Sequence, residues 1–476
     1  MRARVCGPVM LILTTVACGS AEPTANTARG FPIPISFPVG NGQSDTIQAT
    51  LGSTLVVRIG NGPHGQSGAN QVVHFEAVQD SGQFRALVQP AAGGAPSTFV
   101  AETTDTFGEA PIFVVLGQTA GLGHIVVTAP AFGYVDTAHV TVQPGHAVGM
   151  FVAPNDTTAY LGGTVALRTS AVDRFGNPRS DPVSFFVLGG PGTVSGSTLT
   201  INSYGPIQVV GSSDGYIDTT TVYGVPKGAI AASGDITGIF TFSLDGSNFA
   251  EISTTFGGTL KWAPNGSSLV FDQIVGGLYG ANDLLQSIRL DGVVTTLVNS
   301  GSSSLAYPQY TRDGQWIYYN EASATHPMWR VHPDGTGDTT VTMVSPEALQ
   351  LPSPSSDGTQ VSYILGNQLG DLKVLTLSSG AAVDLGVKGN ADVWSPVGNV
   401  IAYTTLSNAM AIINSDGTGN TTLAPGPYGT QFDWSPDGQW IIARNTATSR
   451  LELIQLASHL VIPLGYTGTV GSPTWH

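Results

Sequence analysis

Trp434-Ser435-Pro436-Asp437-Gly438, followed by Ile441-Ile442-Ala443, decides the fold, because the chain repeats this stretch with variations through its C-terminal half. The other copies occupy residues 262–266, 310–314, 354–358 and 394–398. Their final glycines fall at 266, 314, 358, 398 and 438, so the period shrinks from 48 to 44 to 40 and 40 residues. A period near 40, with about four strands in each unit, is typical of a β-propeller blade.

Each repeat has the local chemistry of paired strands. An Asp-Gly turn joins two strands, because Gly accepts positive φ and Asp bonds its own backbone. The strand that follows, such as Trp316-Ile317-Tyr318-Tyr319, is short, β-branched and aromatic. All seven tryptophans lie in this half of the chain, where large rings can fill the wedge between neighbouring sheets.

The two ends of this region complement one another. Residues 228–233 have the pattern of the strand that follows the Trp-x-Pro-x-Gly turn, whereas residues 472–476 have the pattern of the strand that precedes it. Together they make one composite blade, which raises the count to six and closes the ring without a free edge. The sequence therefore predicts a six-bladed β-propeller closed by the C-terminal strand.

Residues 228–476 resemble the TolB-type six-bladed propeller, whose Pro-x-Trp-Ser-Pro-Asp-Gly signature is best matched at residues 432–438. The resemblance implies this fold for about half of the chain. It implies no particular activity, because propellers host unrelated functions. The α/β N-terminal domain of TolB has no counterpart in the sequence, so the resemblance is confined to the propeller.

The N-terminus has the pattern of an export signal. Arg2 and Arg4 precede a short apolar run at residues 9–13, and Thr15-Val16-Ala17-Cys18 resembles a bacterial lipobox. We expect residues 1–17 to be a lipoprotein signal peptide, Cys18 to be lipidated, and residues 18–33 to be a flexible tether. The alternative is an ordinary cleaved signal with an incidental Cys.

Further features bear on localisation and partners. Gly19 follows the Cys, which in a Gram-negative cell favours the outer membrane, with the periplasmic or surface face left open. Cys6 leaves with the signal, so the mature chain has one thiol and forms no internal disulfide. A net charge of −15 with only four lysines argues against nucleic-acid partners.

The sequence between the tether and the propeller has the pattern of short strands separated by turns, and its apolar residues show no helical period. We expect two β-sandwiches, at 34–144 and 145–225, ahead of the propeller at 226–476. Two stretches, Thr104–Ala110 and Asp173–Pro178, resemble turns of invasin-type bacterial Ig-like (BIG) domains. The resemblance implies spacer or stalk modules. The predicted fold class is thus all-β: two Ig-like sandwiches followed by a propeller.

Several apparent catalytic or metal motifs are better explained as turns. Gly211-Ser212-Ser213-Asp214-Gly215 matches a nucleophile elbow, but no helix follows it, so a hairpin turn is favoured. The nine histidines show no metal-ligand spacing, and His74, His124 and His139 are interpreted as structural. The Asp-Gly-Thr-Gly stretches at 334–337 and 416–419 lack the further carboxylates of a calcium loop. The sequence thus predicts no catalytic residue, metal or cofactor.

The remaining candidate is a propeller face. Loops after the second and fourth strands of each blade surround one channel mouth, where ligands usually bind, and they are longest in the early blades. The alternative is that they are solvated loops of uneven length. Candidate binding residues in these loops are Asp272, Tyr279, Asp283, Tyr307, Glu321, His326 and Glu347.

Two classes of function stay open. The first is a non-enzymatic envelope lipoprotein, anchored in the membrane through its lipid, whose propeller binds an envelope protein or a glycan. The second is an enzyme that acts on polysaccharide at the channel mouth, with acidic loop residues as acid and base; such pairs need carboxylates about 5–10 Å apart. The sequence favours binding.

Overall fold

The computed structural model describes residues 34–62, 64–234, 238–255, 257–273, 283–301, 304–322, 327–341, 349–365, 370–465 and 470–476. Over these residues the chain is all β, with strands joined by turns and no helix. No helix that could span a lipid bilayer is found in this part of the chain. Cys18, the signal-like segment and the tether lie outside the described residues.

The chain divides into two compact units. Unit 1 contains the residues up to His146 together with Val172–Pro178, and unit 2 contains Ala147–Ala171 and Arg179–His476. The BIG-like turn at 173–178 therefore groups with unit 1. Its side chains bond there: the Gly145 amide donates to Asp173 Oδ2 at 2.8 Å, and the Ala120 amide donates to Asn177 Oδ1 at 2.9 Å.

Unit 1 consists of two main sheets that share one apolar core. Their strand orders are β1-β3-β9-β7 and β2-β11-β10-β4-β8. The alternation of buried and exposed residues along strands such as Glu109–Leu116 places Val, Ile, Leu and Phe between the sheets. The strands are β1 Ile35–Val39, β2 Ser44–Thr46, β3 Leu55–Ile59, β4 Val72–Ala77, β5 Gln79–Asp80, β6 Gln83–Phe84, β7 Ala86–Pro90, β8 Phe99–Thr103, β9 Glu109–Leu116, β10 Gly121–Ala129 and β11 Tyr134–Gln143.

Unit 2 begins with smaller sheets built around a second core, which contains Leu199, Ile207 and Val222. Two of the sheets have the orders β13-β21-β20-β17 and β14-β19-β18. The strands are β12 Ala147–Ala153, β13 Thr157–Tyr160, β14 Thr164–Ala166, β15 Arg168–Asp173, β16 Pro178–Arg179, β17 Ser184–Gly189, β18 Gly192–Ser195, β19 Thr198–Ile201, β20 Gly205–Ser213 and β21 Tyr216–Val225.

The rest of unit 2 is a series of antiparallel four-strand groups, in the arrangement of propeller blades. The strands are β22 Ala229–Gly234, β23 Ile239–Ser243, β24 Ala250–Ser253, β25 Leu260–Trp262, β26 Ser268–Gln273, β27 Leu284–Arg289, β28 Val294–Asn299, β29 Ser304–Tyr310, β30 Ile317–Ala322, β31 Met328–Val331, β32 Thr339–Thr340, β33 Leu349–Pro354, β34 Gln360–Leu365, β35 Gly370–Thr376, β36 Ala382–Trp394, β37 Val400–Thr405, β38 Met410–Asn414, β39 Thr421–Ala424, β40 Tyr428–Trp434, β41 Trp440–Asn445, β42 Arg450–Gln455, β43 Val461–Pro463 and β44 Val470–Trp475.

Strand β36 serves two of these groups. Its first residues pair with β35 and its last residues pair with β37, so strands β33 to β39 form one seven-stranded sheet. The other groups are β25 to β28, β29 to β32 and β40 to β43, each paired in chain order, and one group of mixed origin.

The mixed sheet has the order β24-β23-β22-β44, so the strand at the C-terminal end lies beside the strand that opens the series. Ile230 is opposite Trp475, and Ala231 is opposite Thr474. The predicted pairing of residues 472–476 with residues 228–233 is therefore confirmed. Gly228 permits the close approach, because a Cβ there would lie 2.2 Å from Trp475 Nε1.

The repeat turns have the predicted chemistry. The five repeat glycines all have positive φ, between 68° and 74°. In the best-matched copy, Asp437 Oδ1 accepts hydrogen bonds from the Ser435 hydroxyl at 2.6 Å and from the Gln439 amide at 3.0 Å. These bonds hold the carboxylate within its own turn.

Candidate functional site

A cavity of about 270 Å³ lies where the first strands of the four-strand groups end. Its lining includes the residue five positions before each repeat glycine. The mixed sheet contributes Thr474, which precedes Trp475 as Asp433 precedes Trp434. The six equivalent positions, called the channel ring below, are Lys261, Gln309, Ser353, Val393, Asp433 and Thr474.

Two further layers of the same cavity follow the repeat. The residues directly after the channel ring also line it: Trp262, Tyr310, Pro354, Trp394, Trp434 and Trp475. The four tryptophans of this layer are buried, so they form the wall of the cavity and expose little ring surface to a ligand. The outer layer is more exposed and consists of Pro264, Arg312, Ser356, Pro396, Pro436 and His476.

On one side of the channel ring the polar side chains bond to one another. Lys261 Nζ lies 2.8 Å from Asp433 Oδ1, and the Thr474 hydroxyl donates to Asp433 Oδ2 at 2.5 Å. The Trp262 amide in turn donates to Thr474 Oγ1 at 3.3 Å. These contacts fasten β44 to β25 on one side and to β40 on the other. We call Lys261, Asp433 and Thr474 the clasp.

The other side of the cavity carries polar groups of a different kind. Among the described residues, the Gln309 side-chain amide and the Arg312 guanidinium have no hydrogen-bond or ion-pair partner. Arg312 is exposed, and Gln309 is half-buried. Both side chains are hydrogen-bond donors that face the cavity lining, and the guanidinium is permanently charged. We call Gln309 and Arg312 the donor pair.

Beneath the cavity the channel narrows to a waist. Lys261, Gln309 and Val393 line both the cavity and a second space of about 20 Å³, which Tyr307 and Asp392 also line. A space of this size holds about one water molecule. Among the described residues, the part of the channel next to the cavity thus has little free space.

Asp392 is the acidic group of the waist. It is almost fully buried; its Oδ2 lies 2.5 Å from the Ser362 hydroxyl, while Oδ1 has no partner among the described groups. Burial raises the pKa of the Asp392 carboxyl to about 8, against a smaller lowering effect of Ser362. The carboxyl is therefore neutral at pH 7 and can donate a hydrogen bond.

Among the described candidates, Asp272 and Asp283 lie near one another, since the charge of Asp283 is one of the causes that raise the pKa of Asp272. Asp272 is buried at the end of β26, where its Oδ1 accepts the Thr259 amide at 2.7 Å, and burial raises its pKa to about 7. Asp283 is also buried and accepts the Ser304 hydroxyl. Glu321 accepts Trp329 Nε1 at 3.0 Å.

Tyr307 lines the waist, in a left-handed conformation with φ of 59°. The remaining three candidates, Tyr279, His326 and Glu347, lie outside the described residues. A role for this face in binding stays a prediction. The described residues contain no group of three or more His, Cys, Asp or Glu side chains placed to hold a metal ion.

No family model matches the chain. It is 28% identical over 158 residues to an uncharacterized protein of Agrobacterium fabrum. That match covers 30% of this chain and 52% of the other protein, so the chain spans about half the length of the curated relative it matches.

Solved structures similar to the chain include TolB from Acinetobacter baumannii, with a TM-score of 0.44 and 12% identity, covering 63% of this chain and 83% of that one. A nidogen/laminin complex gives a TM-score of 0.42 and 11% identity, covering 52% and 98%. An oligogalacturonate lyase in complex with manganese gives 0.37 and 12%, covering 63% and 100%. With every TM-score below 0.5, these likenesses carry no argument about function.

Proposed function

We propose that the chain is an exported, non-enzymatic binding protein, in which a six-bladed propeller captures an envelope protein or a glycan at the cavity of the channel ring. The observation that carries the proposal is the convergence of six equivalent repeat positions on one cavity. Concave sites with a few convergent polar groups are where propellers and other folds take their ligands.

The shape of the channel favours capture of a chain end or a loop tip. The space falls from about 270 Å³ at the cavity to about 20 Å³ at the waist. A polymer cannot thread through such a waist, whereas one or two amino-acid side chains or a terminal sugar fit the cavity. The outer layer, with prolines and Arg312, would contact the part of the ligand that remains outside.

The donor pair sets the chemistry of the ligand. Gln309 and Arg312 offer N–H donors, and a guanidinium bonds best to a planar, bidentate acceptor such as a carboxylate. The clasp offers no comparable free charge, because Lys261 and Asp433 neutralise one another. We therefore expect a ligand with oxygen acceptors, such as an acidic peptide segment or a uronic-acid sugar.

Binding is favoured over catalysis by the state of the carboxyl groups. Asp433 is held by Lys261 and Thr474, and Asp392 is enclosed in the waist below the cavity. Neither carboxyl is placed to work as a free acid or base on a substrate in the cavity. Release of sugar products from a uronate polysaccharide, lost on Asp392→Asn, would instead support the enzyme alternative.

The N-terminal half of the chain would hold the propeller away from a membrane. Two Ig-like sandwiches would act as spacers between the propeller and a membrane, with Cys18 carrying the lipid. Metabolic labelling with a radioactive fatty acid tests the anchor: label should be present in the wild type and in Cys6→Ser, and absent from Cys18→Ser. Equal labelling of both variants would remove the lipid from the proposal.

The binding function is tested by a subtractive screen. A peptide-display library and a glycan array are each probed with the wild type, with the Gln309→Ala/Arg312→Ala double variant, and with Arg289→Ala as control. Arg289 is an exposed arginine of the same region that pairs with Asp291 and does not line the cavity. We expect ligands that lose at least tenfold in affinity with the double variant alone. If every ligand found binds the double variant as tightly as the wild type, the cavity is not the binding site.

A further inference from the structure

A pair of histidines in unit 1 forms a group that the channel does not use. His124 lies on β10 and His139 on β11, and the two residues are direct register partners in the sheet. Their Nδ1 atoms are 3.0 Å apart. They are fifteen positions apart in the sequence, so spacing rules for metal ligands do not detect the pair.

The backbone explains why the two side chains meet. The His139 carbonyl accepts the Gly42 amide at 2.8 Å, and the His124 carbonyl accepts the Val78 amide at 3.0 Å. The two carbonyls thus bond to neighbouring segments on the outer sides of β10 and β11 and not to each other's residue. This is the pattern of a non-hydrogen-bonded antiparallel pair. Side chains of such a pair stand closer than those of a hydrogen-bonded pair. The pairing register fixes the two rings on the same face.

The pair is accessible to solvent and lies near the Asp80–Arg85 ion pair. His124 is half-buried and His139 is exposed. The Asp80 carboxyl has a pKa lowered chiefly by its bond to Arg85, with a smaller contribution from the charge of His124, which places Asp80 close to the pair.

We propose that His124 and His139 form a surface site for a divalent transition-metal ion, with Cu²⁺ the preferred ion. Imidazole nitrogens are ligands of this class of metal and bind at about 2.0–2.1 Å for zinc. Two nitrogens 3.0 Å apart then subtend about 95° at the metal, close to the cis angle of tetragonal coordination. That geometry, with the Irving–Williams order, places Cu²⁺ ahead of Zn²⁺. Water completes the coordination shell, because no third ligand group is present among the described residues.

The site is tested by titration of CuCl₂ into the purified protein in a non-chelating buffer, followed by calorimetry and by electron paramagnetic resonance. The variants are His124→Gln, His139→Gln and, as control, His74→Gln, a histidine of the same sheet that pairs with Ala101 and Thr128. We expect His124→Gln and His139→Gln each to weaken the tightest Cu²⁺ site at least tenfold, with loss of one nitrogen from the hyperfine pattern. His74→Gln should leave both measurements unchanged.

A second measurement separates this site from nonspecific copper binding. The pair exists only when β10 and β11 are in register, so Cu²⁺ should raise the Tm of the wild type and of His74→Gln more than that of the two pair variants. The same binding curve for all four proteins, or an equal shift in Tm, would overturn the proposal. Tighter binding of Zn²⁺ than of Cu²⁺ would contradict the coordination geometry.

Discussion

The clasp and the donor pair line the same cavity, yet their side chains are bonded differently. In the clasp, Lys261, Asp433 and Thr474 satisfy one another and bind three strands together. On the other side, Gln309 and Arg312 have no partner among the described residues. Side chains that line one cavity thus differ in whether they bond to the protein itself, and the proposed binding function rests on the pair that does not.

This difference implies that substitutions in the two regions affect different measurements. Changes to β44 or to the clasp should lower the free energy of unfolding, because they remove bonds that exist in the folded state. Changes to the donor pair should alter ligand affinity and leave the fold intact.

The largest effect is expected from removal of the strand that the clasp fastens. A variant ending at Gly471 lacks Thr474 and the buried Trp475, and leaves one edge of β22 unpaired. We expect the thermal unfolding midpoint, followed by tryptophan fluorescence, to fall by more than about 10 °C. An unchanged midpoint would show that β44 does not close the fold. Trp475→Ala, which keeps the backbone pairing, should cost about 3–5 kcal/mol.

The next effect concerns the charges of the clasp. Asp433→Ala leaves the buried Lys261 ammonium without its partner, and breaking a buried pair in this way costs about 3–5 kcal/mol. Urea unfolding measures the loss. The matched control is Asp371→Ala, which breaks the exposed pair with Lys388 and should cost about 0–1 kcal/mol.

A double substitution shows whether the cost comes from the stranded charge. Lys261→Met combined with Asp433→Leu removes both charges and should be more stable than Asp433→Ala alone. If the double variant is less stable than the single one, the hydrogen bonds to Thr474 and to the β44 backbone matter more than the ion pair.

Asp392→Asn should produce a smaller change that depends on pH. The folded carboxyl has a pKa of about 8, whereas the ordinary value of 3.8 applies in the unfolded chain. Between these values the unfolded state is ionised and the folded state keeps its proton, so the carboxyl lowers stability progressively as pH rises from about 4 to about 8. Asn carries no such proton. Since one pH unit in pKa corresponds to about 1.4 kcal/mol, we expect Asp392→Asn to be stabilising by at least about 2 kcal/mol at pH 8.5 and near neutral at pH 4.

The experiment compares urea unfolding of the wild type and Asp392→Asn at pH 4, 6 and 8.5. Asp272, whose pKa is also raised, titrates in both proteins and cancels in the difference. A stability difference that stays constant across this range would contradict a neutral Asp392 in the folded waist.

The sequence predicted the strand pairing, but it did not single out the cavity. The turn glycines and the two halves of the split blade are recognisable from short stretches of sequence. The pairing of Trp475 with Ile230 therefore followed from the repeat pattern alone. The cavity was missed because loop length drew attention to Asp272 and Glu321, at the far ends of β26 and β30. The residues five positions before the repeat glycines are Lys261 and four other members of the channel ring, and the partial copy at residues 472–476 adds Thr474.

Other features depend on distances that a sequence does not contain. The neutral state of Asp392 follows from burial, and the contact of His124 with His139 follows from strand register. None of these three residues carries a local signal that separates it from an ordinary strand residue.

The smallest effect on stability is expected from substitution of the donor pair. Gln309→Ala/Arg312→Ala removes side chains that bond to no described residue, so the free energy of unfolding should change by less than about 0.5 kcal/mol in urea. A loss comparable to that of Asp433→Ala would mean that the donor pair also holds the ring together, and the distinction between an assembling and a recognising side of the cavity would fail. An unchanged fold with weakened ligand capture is the result expected if side-chain saturation separates the two roles.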